Sequence, residues 1–417
     1  YLDNCNVCDD DPLNDCNPLL GDLNNDGAIN VVDIVQLIEN ILDDAPFNLL
    51  GDLDNDNMLT VLDAVMMVSI ITSPAMIYPS GTLIIQEAID LASQNGRNLV
   101  FINPDSDYYV DATIKIPSNI EIDFNGATII RYSNSRNFFN IIENLNPATG
   151  NSNIVIKNLT INGNSFGGNP HDSNARFSGI HFSKVVNSEL FNVDVTGTIN
   201  GELSLYVGYP DYHAGIFFEE CDNIYAKNLN AYYNDYTGII IYESEEITID
   251  GSLTYGNGGS GIGSRNADNC NFYNIESYSN GFTEYPAPAN QLPHFSNVSI
   301  NGDCCIINDV KTYNSSGSGL NIGHAGSEES RSNYAIANKV ISYNNILEGV
   351  TIKGADYVQL THSQIHNNLR NNILIKDEIQ NSVSWTANYL RITDSDINES
   401  YSELFSPICD IHSNETD

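Results

Sequence analysis

The chain has 417 residues, with 54 Asp and Glu against 16 Lys and Arg, and a formal net charge of -38. Binding nucleic acid or an anionic membrane surface depends on basic side chains, so this excess of acid argues against both kinds of partner. Hydrophobic residues make up 41% of the sequence, but no apolar run is long enough to span a bilayer, so we expect a packed protein without membrane insertion. The chain opens on Tyr1 without an initiator methionine, so we expect a processed or partial chain.

Residues 1–18 form a segment rich in Cys and Asp, with Cys5, Cys8 and Cys16. A C-x-x-C pair can provide half of a zinc site, but no matching Cys or His pair follows it. We therefore favour disulfide bonds, which form in secreted proteins. Three cysteines leave one without a partner inside the segment, and Cys409 near the C-terminus is available for it.

Residues 19–73 contain two copies of a polar loop, each followed by an apolar pattern with helical spacing. Calcium takes six to eight oxygen ligands, and a loop with such ligands at positions 1, 3, 5, 7, 9 and 12 wraps them around one ion. The predicted ligands are Asp22, Asn24, Asp26, the Ala28 carbonyl, Asn30 and Asp33 in the first loop, and Asp52, Asp54, Asp56, the Met58 carbonyl, Thr60 and Asp63 in the second. We expect two bound Ca²⁺ ions, because this acidic segment has no Lys or Arg to offset its charge.

The duplicated loop and helix closely resemble a dockerin in their ligand spacing, in the Asp at position 12 and in the leading Gly-Asp. The resemblance implies a small α-helical calcium-binding domain that docks onto a cohesin or a similar β-sandwich module. In that family positions 10 and 11 of each loop help to choose the partner, and these are Val31, Val32, Val61 and Leu62 here. The alternative is that the calcium loops only make the N-terminal region rigid.

Residues 74–131 predict a short amphipathic helix followed by strands that alternate at period two. The helical pattern places Ile85, Ala88, Ile89 and Ala92 on one face. The segment resembles the N-terminal cap of pectin-lyase-like, right-handed parallel β-helices, in which a helix covers the open end of the solenoid. The resemblance implies that a mostly β solenoid of this kind follows.

Residues 132–400 repeat a doublet of one polar and one aliphatic residue, which predicts the coils of a parallel β-helix, about 22–25 residues each. The doublets are Asn158-Leu159, Asn192-Val193, Asn228-Leu229, Asn274-Ile275, Asp309-Val310, Lys339-Val340, Gln364-Ile365 and Asp396-Ile397. The widest interval predicts one further coil, marked by Leu253. Cys270 and Cys305 each lie five residues before the aliphatic residue of a doublet, so we expect them at equivalent positions of adjacent coils, as buried thiols or as a bridge. Residues 401–417 are a predicted tail.

Four intervals are longer than one coil and predict inserted loops, at residues 163–178, 198–214, 281–297 and 324–334. Function on a solenoid usually lies in such insertions. Tyrosine rings stack well on sugars, which makes Tyr206, Tyr209, Tyr212 and Tyr285 candidates for contact with a glycan, unless they simply cover exposed backbone. The candidates for acid–base catalysis are Asp211, His213 and Lys353.

Residues 302–306, 317–326 and 349–354 resemble motifs of the polygalacturonases, glycoside hydrolase family 28. The sequence departs from that family at its catalytic positions, with Ser318 in place of a His, Cys304 in place of an Asp and Thr351 in place of an Arg. Inverting hydrolysis requires one carboxyl as acid and another as base, so we do not expect polygalacturonase activity.

These features together predict a secreted protein, outside the cell or at its surface, that acts as a structural or adhesive subunit of an extracellular assembly. Its partners would be copies of itself in head-to-tail contact, or a cohesin-like module. One alternative is a polysaccharide-degrading enzyme, either a hydrolase or a lyase. Another is a module that binds glycans without catalysis.

Overall fold

The computed structural model describes residues 21, 23–24, 30–42, 48–52, 58–72, 81–96, 98–103, 107–132, 139–164, 176–200, 213–281, 295–323, 332–376, 378–380, 383–385, 390–393, 395–397 and 409–412. The chain divides into two compact units, Tyr1–Pro79 and Ser80–Asp417. Within the described residues no helix is long and apolar enough to cross a membrane.

The N-terminal unit consists of two helices, α1 (Val31–Leu42) and α2 (Val61–Thr72), with a short 3-10 helix (Leu49–Gly51) between them. Each helix starts at position 10 of one of the candidate calcium loops, so the position-12 aspartates Asp33 and Asp63 lie in the first turns of the helices. The helices share a small core, which is made of Leu23, Leu37, Ala64 and Met67 with Ile34, Ile41 and Leu59 at its edge. So small a core buries little apolar surface, and units of this kind usually need metal or disulfide bonds for stability.

The second unit begins with helix α3 (Gly81–Gln94), which confirms the amphipathic helix predicted there. Its apolar face, with Ile85, Ile89 and Ala92, is buried in the same core as the first strands of the sheets. The helix begins at Gly81, where a Cβ atom would lie 2.8 Å from the Cβ of Tyr108. Glycine is needed there because the helix and the neighbouring strand approach so closely.

Strands make up most of the rest of the described chain. The strands of its first half are β1 (Leu99–Phe101), β2 (Asp107–Val110), β3 (Ile114–Ile116), β4 (Ile120–Asp123), β5 (Thr128–Arg131), β6 (Ile142–Asn144), β7 (Asn151–Ser152), β8 (Ile154–Asn162), β9 (Arg176–Phe177), β10 (Ile180–Ser183), β11 (Val185–Thr196), β12 (Ile199–Asn200), β13 (Ala214–Glu219), β14 (Asp222–Tyr232), β15 (Thr237–Tyr242) and β16 (Glu245–Tyr255). Those of the second half are β17 (Ile262–Arg265), β18 (Asn271–Tyr278), β19 (Val298–Ile300), β20 (Ile306–Tyr313), β21 (Leu320–Ile322), β22 (Ser332–Asn333), β23 (Ile336–Tyr343), β24 (Val350–Lys353), β25 (Ala355–Asp356), β26 (Gln359–Thr361), β27 (Gln364–His366), β28 (Ile373–Lys376), β29 (Glu378–Gln380), β30 (Val383–Trp385), β31 (Leu390–Thr393), β32 (Asp396–Ile397) and β33 (Cys409–His412).

Two large parallel sheets face each other across one continuous core, as in a parallel β-helix. Sheet 1 has 17 described strands, and its long members β8, β11, β14, β16, β18, β20 and β23 pair in that order. Sheet 2 has ten described strands in the order β3, β6, β10, β13, β15, β17, β19, β21, β24 and β28. The described antiparallel pairs are β9 with β12 and β29 with β30. Strand β33 pairs with β31 in sheet 1, so the coils reach into the predicted tail.

The polar residue of the repeated doublet marks a turn inside the long strands of sheet 1. Asn158, Asn192, Asn228 and Asn274 all have φ between 53° and 55°. Asparagine enters this left-handed region more easily than most residues, which explains its recurrence at one position of each coil. The coil prediction is confirmed for these doublets.

Two details of the predicted register are wrong. The extra coil is present, but Ser252 rather than Leu253 pairs with Ile275, and Gly251 is its left-handed residue, with φ of 73°. Glycine reaches this conformation as readily as asparagine does, so the doublet pattern was lost there. In the later coils Gln364 pairs with Ile341, and Asp396 pairs with Gln364, so these two residues lie beyond the turn that the doublets mark.

A ladder of buried asparagines joins the coils at the turn that leads from sheet 1 to sheet 2. Asn234, Asn257 and Asn280 are spaced by 23 residues. The Nδ2 group of Asn234 donates to Oδ1 of Asn257 at 3.0 Å, and that of Asn257 donates to Oδ1 of Asn280 at 2.9 Å. Each amide also satisfies backbone groups that would otherwise be buried without a partner.

Candidate functional site

The two candidate calcium loops place buried carboxylates at the starts of α1 and α2. Oδ1 of Asp33 accepts hydrogen bonds from the backbone N–H groups of Leu23 (2.9 Å) and Asn24 (3.2 Å), and Oδ2 accepts one from Asn30 (2.9 Å). In the second loop, Oδ2 of Asp63 accepts from the N–H of Thr60 at 2.7 Å. These bonds draw each loop around its position-12 carboxylate.

The described loop residues suit a divalent cation. Asp33 and Asp63 are fully buried and Asp52 is 2% exposed, yet residues 1–96 contain no Lys or Arg. Burying a carboxylate is costly unless positive charge offsets it, and Ca²⁺ would provide that charge. Of the other predicted ligands, Asn24, Asn30, Met58 and Thr60 are described, whereas Asp22, Asp26, Ala28, Asp54 and Asp56 lie outside the described residues. Among the described residues no group of three or more His, Cys, Asp or Glu side chains forms a metal cluster.

The helices of the N-terminal unit expose many apolar side chains. These are Val31, Val32, Val35, Ile38 and Leu42 on α1, and Val61, Val65 and Val68 on α2. Three of the four predicted partner-binding residues are in this set, and the side chain of Leu62 is outside the described part of the structure. Exposed apolar side chains in this number on a small unit often mark a protein–protein contact, and docking stays a prediction.

The second candidate site is the outer face of sheet 2. Three of the four predicted insertions fall, along the chain, between the end of a sheet 1 strand and the start of a sheet 2 strand. Most of their residues, including Tyr206, Tyr209, Asp211, Tyr212 and Tyr285, lie outside the described residues. The glycan-contact and catalytic roles assigned to them stay predictions.

A charged cluster occupies the N-terminal end of this face. The register places Lys115, Glu143 and His181 side by side on β3, β6 and β10. Glu143 forms an ion pair with Lys115, and its Oε1 lies 3.6 Å from Nδ1 of His181. Nε2 of His181 lies 3.0 Å from Oε2 of Glu219, and the imidazole stacks on the ring of Phe217 at 4.7 Å. The imidazole is therefore held between two carboxylates.

These contacts shift the protonation of the cluster. Burial alone would lower the pKa of His181, but its hydrogen bonds to Glu143 and Glu219 raise it above the ordinary value. Burial would raise the pKa of Glu143, but hydrogen bonds from His181, Lys115 and Asn140 lower it to about 2. Glu143 is therefore a carboxylate at neutral pH, ion-paired with Lys115, and the raised pKa of His181 favours its protonated form between the two carboxylates.

Stability should depend on pH through His181. Because its folded pKa is raised, the imidazolium stabilises the protein fully below the unfolded value of about 6.5, and this stability is lost as pH rises through the folded pKa. We expect a loss of about 1–2 kcal/mol in the free energy of unfolding across that window. Urea unfolding between pH 5 and pH 9 would measure it. The matched variant His181→Phe keeps the stacking on Phe217 and should lack this slope, and an unchanged slope would contradict the assignment.

A cleft lies next to the charged cluster, over strands β15, β17 and β19. Its volume is about 200 Å³, and it is lined by Tyr236, Thr237, Ile240, Tyr242, Ser260, Gly263, Ser264, Arg265, Phe295, Ser299 and Asn301. The rings of Tyr236 and Phe295 meet edge to face at 5.4 Å. Ala214, Phe217 and Ile240 form an apolar cluster on this face, separate from the main core, with Tyr236 and Tyr242 packed against it.

The cleft exists because the middle of its three strands, β17, has a glycine, Gly263, where its neighbours have side chains. Gly263 lies in register between Ile240 and Ser299 on the outer face of the sheet. A Cβ atom on Gly263 would have Thr237 Cγ2, at 3.8 Å, as its nearest neighbour, so the space above it is open. The cleft therefore has aromatic walls, a small-residue floor, and the polar groups of Arg265 and Asn301 at one side.

The sequence candidates fall at different places around this face. His213 directly precedes β13, and the register extends it to the position of Tyr236, at the rim of the face. Lys353 ends β24, three strands beyond the Arg265 strand β17 in sheet 2. The structure thus places His213 and Lys353 on one face but on well separated coils, and Asp211 lies outside the described residues.

The polygalacturonase-like residues do not form a hydrolytic pair among the described side chains. Oγ of Ser318 contacts Oε2 of Glu348 at 3.0 Å and Oγ1 of Thr351 at 2.8 Å, and all three residues are buried. Oδ1 of Asp303 accepts from the N–H of Asn333 at 2.7 Å, so it is engaged by the backbone of the next coil. These residues stabilise turns and strands of the coils.

The cysteines of the coils occupy the places that the doublets predict. Asn271 pairs with Ile306, so Cys270 and Cys305 are neighbours on adjacent coils, and both are fully buried. Cys221, Cys270, Cys304 and Cys305 are free thiols. The disulfide prediction for Cys5, Cys8, Cys16 and Cys409 concerns side chains outside the described part of the structure.

No family model and no curated protein matches the sequence. Among solved structures, the chain is similar to the A-modules of two mannuronan C-5 epimerases of Azotobacter vinelandii, AlgE4 and AlgE6. For both, the TM-score is 0.59 and the identity 16%, over 75% of this chain and 82% and 81% of the modules. It is also similar to the Dettilon tailspike protein, with a TM-score of 0.56 and 13% identity, over 75% of this chain and 57% of that one. At such identities the likeness shows the parallel β-helix fold alone.

Proposed function

We propose that this protein is an extracellular, adhesive β-helix protein that binds a polysaccharide in the cleft over β15, β17 and β19 without cleaving it. The observation that carries the proposal is the composition of the cleft. Aromatic rings at its wall suit the apolar faces of a sugar, and Arg265 and Ser299 carry hydrogen-bonding groups that suit hydroxyls or acidic substituents. A volume of about 200 Å³ fits a single sugar ring better than a larger ligand.

Binding without turnover is supported by what lines the cleft. Its described lining residues include no Asp, Glu, His or Lys, and the nearby His181 is held between two carboxylates. Hydrolysis needs one carboxyl as acid and another as base, and the described lining supplies neither. Elimination also accepts tyrosine as its base, and Tyr236 and Tyr242 line the cleft, so product analysis has to test it. The mannuronan epimerase among the similar structures is compatible with a role at polysaccharides, although it does not favour binding over catalysis.

The N-terminal unit would then attach the β-helix to a partner. We propose that it is a dockerin-like domain with two Ca²⁺ ions, in which the exposed apolar faces of α1 and α2 contact a cohesin-like module or another copy of the chain. Val31 and Val61 are both exposed and both stand at position 10 of their loops, which supports this contact. Attachment through the N-terminal unit and glycan binding by the β-helix would give an extracellular structural subunit.

A second candidate is a polysaccharide-active enzyme. It is favoured by His213 at the rim of the same face, next in register to Tyr236. Product analysis distinguishes the two functions, because an enzyme would convert uronans, neutral glycans or sulfated glycans, whereas the proposed adhesin would bind one of these classes and release it unchanged.

Filling the cleft should abolish binding without unfolding the protein. In Gly263→Leu the new side chain enters open space, because the nearest atom to its Cβ is 3.8 Å away. We expect the affinity for the bound oligosaccharide to fall at least about tenfold, as a tenfold loss needs only about 1.4 kcal/mol. Isothermal titration calorimetry against uronan, neutral and sulfated oligosaccharides measures it.

The matched control is Lys227→Leu, which adds the same side chain at an exposed site of β14 in sheet 1. This variant should bind as the wild type does. Equal affinity of wild type and Gly263→Leu would place the glycan elsewhere and contradict the proposed site.

A further inference from the structure

In most coils a glycine at the start of the sheet 2 strand makes room for a ladder asparagine at the end of the same coil. A Cβ atom on Gly238 would lie 3.0 Å from Nδ2 of Asn257, and one on Gly261 would lie 2.7 Å from Nδ2 of Asn280. The same pairing recurs between Gly215 and Asn234, Gly319 and Asn345, and Gly349 and Asn368. In each of these five coils, a small residue and a large residue therefore meet at the same contact.

One coil exchanges the two residues. Asn297 stands where the glycine is expected, because Ile262 donates its N–H to the Asn297 carbonyl just as Ile239 donates to that of Gly261. Ser315 stands where the ladder asparagine is expected, because its N–H donates to Oδ1 of Asn345 at 3.0 Å. The large residue and the small residue have changed places.

The side chain of Asn297 replaces the missing amide of the ladder. Its Oδ1 accepts from the N–H of Asn280 at 3.3 Å and from Nδ2 of Asn280 at 3.0 Å. Its Nδ2 donates to the Tyr313 carbonyl at 2.9 Å, and the whole residue is buried. The ladder therefore continues, but through a residue at the end of the long insertion rather than through the turn of the coil.

The exchange fixes the aromatic wall of the cleft. Because Ser315 no longer serves the ladder, its Oγ donates to the carbonyl of Phe295 at 3.0 Å. Phe295 lies two residues before the buried Asn297, so both ends of this short stretch are anchored. Its ring then meets Tyr236 edge to face at the cleft.

We infer that Asn297 and Ser315 are positioning residues that hold Phe295 in place for the saccharide, an inference that rests on the proposed glycan-binding function. They contact the ladder and the backbone rather than the ligand. Because the neighbouring coils are stable with a glycine and an asparagine at these positions, the exchange adds nothing that the ladder itself requires. What it adds is a defined position for residues 295–297 beside the cleft.

The test restores the ordinary pairing in this coil. Asn297→Gly alone should lower the Tm by several degrees, since Asn280 loses its acceptor, and Ser315→Asn alone should do so by crowding Asn297. The double variant Asn297→Gly/Ser315→Asn should regain most of the wild-type Tm while binding the oligosaccharide at least about fivefold more weakly. A merely structural role would restore the Tm and the affinity together.

Phe295→Ala provides the second arm. It should weaken binding to a similar degree, and combining it with the double variant should give no further loss, because both act through one ring. Wild-type affinity in the double variant, or a Tm that does not recover, would overturn the inference. If the wild type binds none of the oligosaccharides, the proposed function fails instead. Hydrogen exchange at residues 295–297 then decides the inference, since faster exchange in the double variant supports it and an unchanged rate overturns it.

Discussion

Removing calcium should unfold the N-terminal unit and leave the β-helix folded. Asp33 and Asp63 are buried in a unit that has no Lys or Arg and only a small apolar core. Without Ca²⁺ each of these carboxylates repels the other acidic groups of its loop. When the free calcium concentration is a hundred times the Kd, binding at one site stabilises the folded unit by about 2.7 kcal/mol. We expect a loss of helical signal in circular dichroism on adding EDTA, which calcium reverses, while the β signal and the high-temperature transition persist.

A matched pair of variants separates ligand loss from general destabilisation. Asp33→Ala removes a buried loop carboxylate, and Glu39→Ala removes an exposed carboxylate of the same helix. Calorimetry should show one fewer calcium site, or a site at least about a hundredfold weaker, in Asp33→Ala only. An N-terminal unit that stays folded in EDTA, with no heat of calcium binding, would contradict the calcium assignment.

Replacing one buried ladder amide should destabilise the β-helix more than most single substitutions. Asn257 is fully buried, and its Oδ1 accepts from the N–H of Asn234 at 3.1 Å and from Nδ2 of Asn234 at 3.0 Å. Its Nδ2 donates to the Ala231 carbonyl at 2.9 Å. Asn257→Leu leaves these groups buried and unpaired at about 1–3 kcal/mol each, so we expect a loss of about 3–5 kcal/mol. Urea unfolding followed by circular dichroism measures it.

The control for the ladder is Asn230→Leu. Asn230 lies in register with Leu253 of the next coil, so leucine already fits at this position of the repeat. Its Nδ2 donates to Asp194 at 2.7 Å and its Oδ1 accepts from the N–H of Leu253 at 3.1 Å, both at a partly buried site, so we expect a cost of about 1–2 kcal/mol, less than that of Asn257→Leu. Equal costs for the two variants would mean that the ladder adds no special stability.

The repeat itself was predictable from sequence because its physical causes are local. Left-handed turns favour asparagine, as at Asn192 and Asn228, and buried strands favour β-branched residues, so both recur at coil spacing. The prediction failed where another residue meets the same need. Gly251 adopts the left-handed turn conformation that asparagine adopts in the other coils. Ser252 follows it at the position that Leu229 has in the preceding coil. The polar–aliphatic doublet is therefore absent from the sequence although the coil is present.

The candidate site was much less predictable. Long intervals in the repeat correctly indicated an insertion before β19, but the cleft depends on residues that lack side chains, such as Gly263, and on register across three coils. Tyr236 and Phe295 belong to coils with an entire coil between them in the sequence. Asn297 stands at a position that is glycine in the neighbouring coils, and this exception could have pointed to it. The exception becomes visible only once the register is known.

The most direct test of the account is hydrogen exchange, followed by mass spectrometry, on the full chain with and without a saturating oligosaccharide. Glycan binding in the cleft predicts slower exchange in peptides covering residues 236–242, 259–265 and 295–301, with an unmodified oligosaccharide recovered afterwards. These three stretches are distant in sequence and meet only at the cleft. Protection confined to other coils, or recovery of a cleaved or epimerised sugar, would contradict a non-catalytic binding site at this face.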